Sequence, residues 1–280
     1  MATTTRFAPS PSGYLHLGHA FAAITAFEAG ERFVLRIEDI DTSRCRPEFE
    51  TAITEDLAWL GLDWEQPVLR QSCRMAAYGE ALESLKARGL LYPCFCTRRD
   101  IAEEIMHAAE APQGADGPLY PGSCRALAQD ERARRIAAGQ PYAHRLDAAK
   151  AAALAGPLFF EERGAGPRGE SGRIAVDPLA FGDVVLARKE MATTYHLAVV
   201  VDDAFQGVDL VTRGNDLFAA AQIQRVLQAL LGLPAPAYAH HRLILDAQGK
   251  KFSKRDRAVT LRALRAEGVT PARVRARLGF

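Results

Sequence analysis

Residues 6–19 read Arg6-Phe7-Ala8-Pro9-Ser10-Pro11-Ser12-Gly13-Tyr14-Leu15-His16-Leu17-Gly18-His19. A short strand ends near Phe7, a Pro/Ser/Gly turn follows it, and a helix begins near Gly18. A helix start of this kind aims unpaired backbone N–H groups and a positive dipole end at whatever lies above it. His16 and His19, three residues apart, add two imidazole donors for phosphate oxygens. Gly18 between them leaves room for a flat base against the backbone. Ligands of parallel α/β sheets bind beyond the carboxyl ends of the strands, which is where this turn falls.

The rest of the chain carries the same alternation. Strands are expected at Phe33–Ile37, Val68–Leu69, Val184–Ala187 and Leu243–Leu245, and helices over 18–29, 47–60, 74–88 and 216–231. Strands separated by helices of this length predict an α/β fold, a Rossmann-like parallel sheet with helices on both faces. Gly- and Pro-containing stretches at 108–125 and 164–172 interrupt the pattern and read as an irregular segment and a surface loop. Leu261–Ala266 and Pro271–Leu278 read as short terminal helices, the second capped by Thr270 with Pro271 in its first position.

A second basic segment, Lys251-Phe252-Ser253-Lys254-Arg255, follows the turn-rich Asp246-Ala247-Gln248-Gly249. There Lys254 is suited to β- and γ-phosphates and Ser253 to a hydrogen bond with them, on a loop able to close and reopen. Taken alone, a basic loop is a common solvated feature. Six lysines stand against 29 arginines, and three of the six fall within 250–254, as if a compact point charge were wanted there. No G-x-x-x-x-G-K-[ST] occurs, which argues against one other common nucleotide cradle.

The chain has 280 residues, 48% hydrophobic, with a formal net charge of +1. Residues 250–280 hold ten basic and two acidic side chains, whereas the first 249 hold 25 basic and 32 acidic. That asymmetry suits either a polyanion footprint or a solvated Arg-rich helix. No apolar run reaches the roughly 20 residues of a membrane span. No basic-then-apolar leader opens the chain, so a cytoplasmic protein with no membrane partner is expected. Five unevenly spaced cysteines do not make a disulfide framework. Cys94, Cys96 and Cys124 bracket the irregular segment and suit a structural Zn2+, with Tyr120, His107 and Asp116 all open as the fourth ligand. Cys45 and Cys73 read as plain thiols.

Arg6–Gly13, His16–His19, Arg36-Ile37-Glu38-Asp39, Tyr195-His196-Leu197-Ala198, Val201-Asp202-Asp203 and Lys251–Arg255 together resemble the catalytic core of glutamyl-tRNA synthetases, class I aminoacyl-tRNA synthetases. The resemblance covers almost the whole chain and is closer to their truncated bacterial paralogues, the glutamyl-Q tRNA(Asp) synthetases. It implies a ligase that activates L-glutamate with ATP and Mg2+. The glutamyl group then passes to queuosine at the wobble position of tRNA(Asp), with no DNA involved. Two features point to the paralogue. Only 25 residues follow Arg255, where a full synthetase would begin its anticodon-binding domain, and Val199 stands where the full-length enzymes usually carry Asn.

The resemblance also assigns residues. His16, His19 and Lys254 are the catalytic groups, and ATP is met by His16, Gly18, His19, Leu243, Ile244, Ser253 and Lys254. Glutamate is met by Arg6, Phe7, Ala8, Pro9, Ser10, Glu38, Tyr195 and Arg213. Of these, Arg6, Arg213 and Tyr195 take the side-chain carboxylate and Glu38 the α-amino group. Bidentate Arg forks and one anion are what a dicarboxylic amino acid requires, and such a site rejects glutamine. Zn2+ is held by Cys94, Cys96, Tyr120 and Cys124. Asp202 and Asp203 are either structural or tRNA-side contacts. The expected organisation is a first catalytic half over 1–93, an inserted zinc-bearing subdomain over 94–180, and a second catalytic half over 181–250. The basic loop and short helices fill 251–280. A truncated synthetase charging tRNA(Glu), a non-catalytic synthetase-like regulator and a small-molecule nucleotidyltransferase are the competing readings.

Overall fold

The structure, a computed structural model, describes residues 2–107, 113–114, 117–188, 193–245 and 259–280. Strand β1 (Thr4–Phe7), helix α1 (Leu17–Ala29), β2 (Arg32–Ile37), α2 (Pro47–Trp59) and β3 (Glu65–Arg70) form the first parallel block, in strand order β1-β2-β3. Strand β2 is buried at every residue but its first, as a central strand covered on both faces should be. Small side chains at Ala20, Ala23 and Ala26 let α1 lie close, and Ile24 joins Leu35, Ile37, Ile53 and Leu57 in one core. Helix α2 opens on Pro47, whose missing N–H would be unpaired there anyway, and sets Glu48 and Glu50 against the positive dipole end.

Next come α3 (Met75–Ala87), β4 (Leu91–Cys94), α4 (Arg98–His107) and the two-residue strands β5 (Gln113–Gly114) and β6 (Gly117–Pro118). They are followed by α5 (Gln129–Ala137), β7 (Ala143–Leu146), α6 (Ala148–Ala155), β8 (Phe159–Glu162), β9 (Gly172–Ala175) and β10 (Val185–Ala187). Strand β7 pairs antiparallel with both β4 and β10. The chain then runs through α7 (Tyr195–Phe205), β11 (Leu210–Gly214), α8 (Ala220–Leu231), β12 (Ala237–His241), α9 (Leu261–Ala266) and α10 (Pro271–Leu278).

Strands β11, β12 and β8 form a second parallel block, edged by antiparallel β9. The two blocks meet along β1 and β11, where the Asp209 N–H donates to the Thr4 carbonyl at 3.0 Å and the Thr4 N–H to the Asp209 carboxylate at 3.1 Å. Strands β8 and β9 lie within 94–180, the stretch expected as an insertion, yet they pair with the catalytic sheet through β12.

The strand expected at Leu243–Leu245 is displaced. The sheet strand is β12, five residues whose side chains alternate in burial, and Leu243 and Ile244 instead line a cavity just past its end. The terminal helices form where expected, Thr270 accepting from the Arg273 N–H at 3.3 Å. They do not present their arginines uniformly to solvent. Arg275 pairs with Glu28 of α1 at 2.6 Å and Arg265 with Glu55 of α2 at 2.8 Å, while Arg273 and Arg277 are exposed.

Candidate active site

At the carboxyl end of β1 the chain turns through Pro9–Gly13 and enters α1 with His16 as its cap. The His16 Nδ1 accepts from the Gly18 N–H at 3.1 Å, and the His19 Nδ1 accepts from the His16 N–H at 3.2 Å. Two imidazoles thus do the work usually given to Ser and Glu in a capping box. A ring nitrogen that accepts carries no proton, so in each neutral ring the N–H is on Nε2. The rings lie 3.8 Å apart, tilted by 35°. A Cβ on Gly18 would press the His16 ring at 3.1 Å, so glycine keeps that cap in place.

These residues border a cavity of about 460 Å3. Of the sequence-predicted residues, Phe7, Ala8, Pro9, Ser10, His16, Gly18, His19, Leu243 and Ile244 line it. Ser253 and Lys254 lie outside the described residues, but Thr260, after them, bridges to His16, and the Leu261 N–H donates to the Leu15 carbonyl at 2.8 Å. Gly214, Asp216, His241 and Arg242 also line the cavity and were not read from the sequence. The Gly-Asn-Asp turn straight after an expected ligand, Arg213, was the signal available.

Arg6, Glu38, Tyr195 and Arg213 do not line that cavity. Arg6, one residue before Phe7, is buried and donates Nε to Asp203 at 3.2 Å and Nη1 to the Thr212 carbonyl at 3.1 Å. Asp203 also pairs with Arg36 at 2.8 Å, and Arg36 lies 3.5 Å from Glu38. Burial would raise the Asp203 carboxyl, but Arg6 and Arg36 outweigh it and hold it below the usual range. Glu38 goes the other way, since burial outweighs Arg36 and Arg6 and raises it. Two neighbouring carboxylates are thereby pushed apart.

Asp202 is fully buried, accepting from Gln71, Arg74 and Tyr78. Asp202 and Asp203 are thus both buried and paired within the protein. Arg213 donates Nε to the His240 Nε2 at 3.0 Å and Nη1 to Gln224 at 2.8 Å, so two of its three nitrogens are engaged within the protein. Tyr195 sits exposed in the first turn of α7. Val199 is packed in the core with Leu197, Val200, Ile223 and Leu227.

Cys94, Cys96 and Cys124 place their sulfurs within 4.8 Å of one another. The Tyr120 hydroxyl lies 3.5 Å from both Cys94 Sγ and Cys96 Sγ, and Cys96 and Cys124 are 3.4 Å apart. The edge of a tetrahedron with Zn–S bonds of about 2.3 Å is about 3.8 Å, so this donor set fits a tetrahedral thiophilic cation. Burial pushes the Cys96 thiol up to about 12, so it keeps its proton unless a cation displaces it. Asp116 and the side chain of His107 lie outside what the structure describes.

Residues 2–279 match the family described as tRNA synthetases class I (E and Q), catalytic domain. A "Glutamyl-Q tRNA(Asp) synthetase" of Rhodobacter capsulatus is 53% identical over 99% of this chain and 99% of its own length. One of Nocardia farcinica is 45% identical over 98% of this chain and 82% of its own. A solved glutamate tRNA ligase of Elizabethkingia meningosepticum superposes with a TM-score of 0.73 at 28% identity. The match covers 91% of this chain and 52% of that one, so the chain spans about half of that ligase.

Proposed function

Because the chain belongs to the catalytic-domain family of class I tRNA synthetases for glutamate and glutamine, we propose that it activates L-glutamate with ATP and transfers it to queuosine in the wobble position of tRNA(Asp). The observation that carries this reading is the join at β1. Phe7–Ser10 border the α1 cavity, while Arg6, one residue earlier, belongs to the buried cluster of arginines and carboxylates. A nucleotide and a dicarboxylic amino acid held on the two sides of that join meet end to end.

ATP enters as its Mg2+ complex in the α1 cavity. Glutamate binds with its side-chain carboxylate toward Arg6, Arg213 and Tyr195 and its ammonium toward Glu38. One α-carboxylate oxygen attacks the α-phosphorus in line, the new C–O–P bond forms, and the bond to the β-phosphate oxygen breaks to release pyrophosphate. His16 and His19 stabilise the growing charge through Nε2–H, aided by the α1 N-terminus. Ser253 and Lys254 complete the phosphate site, and no covalent intermediate is required. A queuosine hydroxyl then attacks the glutamyl carbonyl, and AMP departs as the ester forms.

Cys94, Cys96, Tyr120 and Cys124 hold a structural Zn2+ that staples the end of β4 to the segment near Cys124. The exposed Arg273 and Arg277 are the candidate tRNA contacts of the terminal helices. A cytoplasmic location goes with a tRNA substrate, and among the described residues no helix is long and apolar enough to cross a membrane.

The test is transfer of labelled glutamate, with ATP, to three RNAs: tRNA(Asp) with queuosine, tRNA(Asp) without it, and tRNA(Glu). Label on the queuosine-bearing tRNA(Asp) alone is expected. Label on tRNA(Glu) would make the protein a charging synthetase, and label on none would remove the transferase reading.

A further inference from the structure

Arg213 is held from behind by a buried relay. Glu162 Oε1 accepts from the His240 N–H at 2.9 Å and from the Gly164 N–H at 2.8 Å, and Glu162 Oε2 lies 2.5 Å from the His240 Nδ1. Both side chains are fully buried. A Cβ on Gly164 would meet the His240 carbonyl oxygen at 2.2 Å, so only glycine lets the two backbones approach this closely. The far ring nitrogen, Nε2, lies 3.0 Å from Arg213 Nε. A guanidinium only donates, so Nε2 must accept. The ring proton is therefore on Nδ1 and points at Glu162. Burial, with the Arg213 charge, pushes His240 down to about 4, so the ring stays neutral around neutral pH.

The third edge of Arg213 is the informative one. With Nε on His240 and Nη1 on Gln224, Nη2 is buried with no hydrogen-bond partner among the described residues. An unpartnered buried donor on a cation needs an explanation, and an incoming carboxylate oxygen supplies it.

We propose that Glu162 and His240 are positioning residues for amino-acid selection, fixing Arg213 by its Nε through the Nδ1–H tautomer so that Nη2 is kept for the carboxylate of the amino-acid substrate. The proposal rests on the glutamate reading above. Glu162 and His240 touch neither substrate nor the reacting atoms and act only through the orientation of Arg213.

Glu162→Gln is the discriminating variant, because it keeps the shape and reverses the polarity. Its NH2 facing Nδ1 forces the ring proton to Nε2, where it opposes the Arg213 N–H, donor against donor. In glutamate-dependent ATP–pyrophosphate exchange, the glutamate KM should rise about tenfold or more while the ATP KM stays within about twofold. Nitrogen NMR of the His240 ring should show Nδ1–H in the wild type and Nε2–H in the variant. His240→Gln, whose amide oxygen can stand where Nε2 was, should keep most of the glutamate affinity, and His240→Leu should not.

A folded Glu162→Gln protein with the wild-type glutamate KM would overturn the proposal. Should Glu162→Gln not fold, equal glutamate KM values in His240→Gln and His240→Leu would overturn it instead. Should the wild type show no exchange with glutamate, the functional reading falls on its own, and the relay is then judged by the wild-type ring. Nδ1–H supports it and Nε2–H overturns it.

Discussion

His16 and His19 are satisfied within one turn of helix, each Nδ1 bonded to a backbone N–H two or three residues away. Arg6, Arg36 and Arg213 are held by partners from α7, β11, α8 and β12, up to 206 residues distant in sequence. The phosphate end is thus a local device and the carboxylate end a property of the assembled sheet. A local device can lose a residue at small cost to folding and large cost to chemistry. A buried network of charges cannot lose a member without leaving another uncompensated.

Asp203→Asn should give the largest effect. It removes the anion shared by Arg6 and Arg36 and should cost about 3–5 kcal/mol in chemical denaturation. A loss below about 1 kcal/mol, the range of exposed pairs, would erase the contrast between the two regions. His16→Ala should come next, with the pattern reversed. The lost cap costs about 1 kcal/mol of stability, whereas the exchange rate falls about 100- to 1,000-fold. If stability fell and the rate did not, His16 would be a cap alone.

Acid should then separate the two ends without mutation. Glu38 is raised by burial, so it takes up its proton at a higher pH than an ordinary glutamate. Once neutral it no longer attracts an ammonium group. The glutamate KM should therefore climb as pH falls, starting above the usual carboxylate range, and Glu38→Gln should flatten that climb. Asp203, held low by Arg6 and Arg36, stays ionised through the same interval. The smallest expected effect on activation belongs to the cysteine cluster. Cys124→Ser should release zinc, measured by metal analysis, while the glutamate KM stays within about twofold, because the cluster lies on neither side of β1.

What was legible in the sequence follows the same division. The turn after β1, the cap at α1 and the Cys94–Cys96 pair are contiguous, and their chemistry is visible at short range. Helices α1, α2 and α3 formed within a residue of the expected bounds, since an apolar face at helical spacing is also a local signal. Leu243–Leu245 misled because an apolar run reads as a strand, although here Leu243 and Ile244 serve a cavity wall. The true strand, Ala237–His241, carries two histidines and is not among the strands expected from the sequence. Asp202 and Asp203 are adjacent on α7 yet answer to different partners, Gln71, Arg74 and Tyr78 for one and Arg6 and Arg36 for the other. Which arginine binds substrate and which only braces it depends on pairings that no spacing in the chain records.

The most direct measurement is ATP–pyrophosphate exchange by the wild type and Arg213→Ala, run side by side with glutamate and with glutamine. The wild type should prefer glutamate by about 100-fold or more, and Arg213→Ala should lose saturation by glutamate while keeping its ATP KM. Equal use of the two amino acids by the wild type, or an unchanged glutamate KM in Arg213→Ala, would contradict a carboxylate site at this end of the sheet.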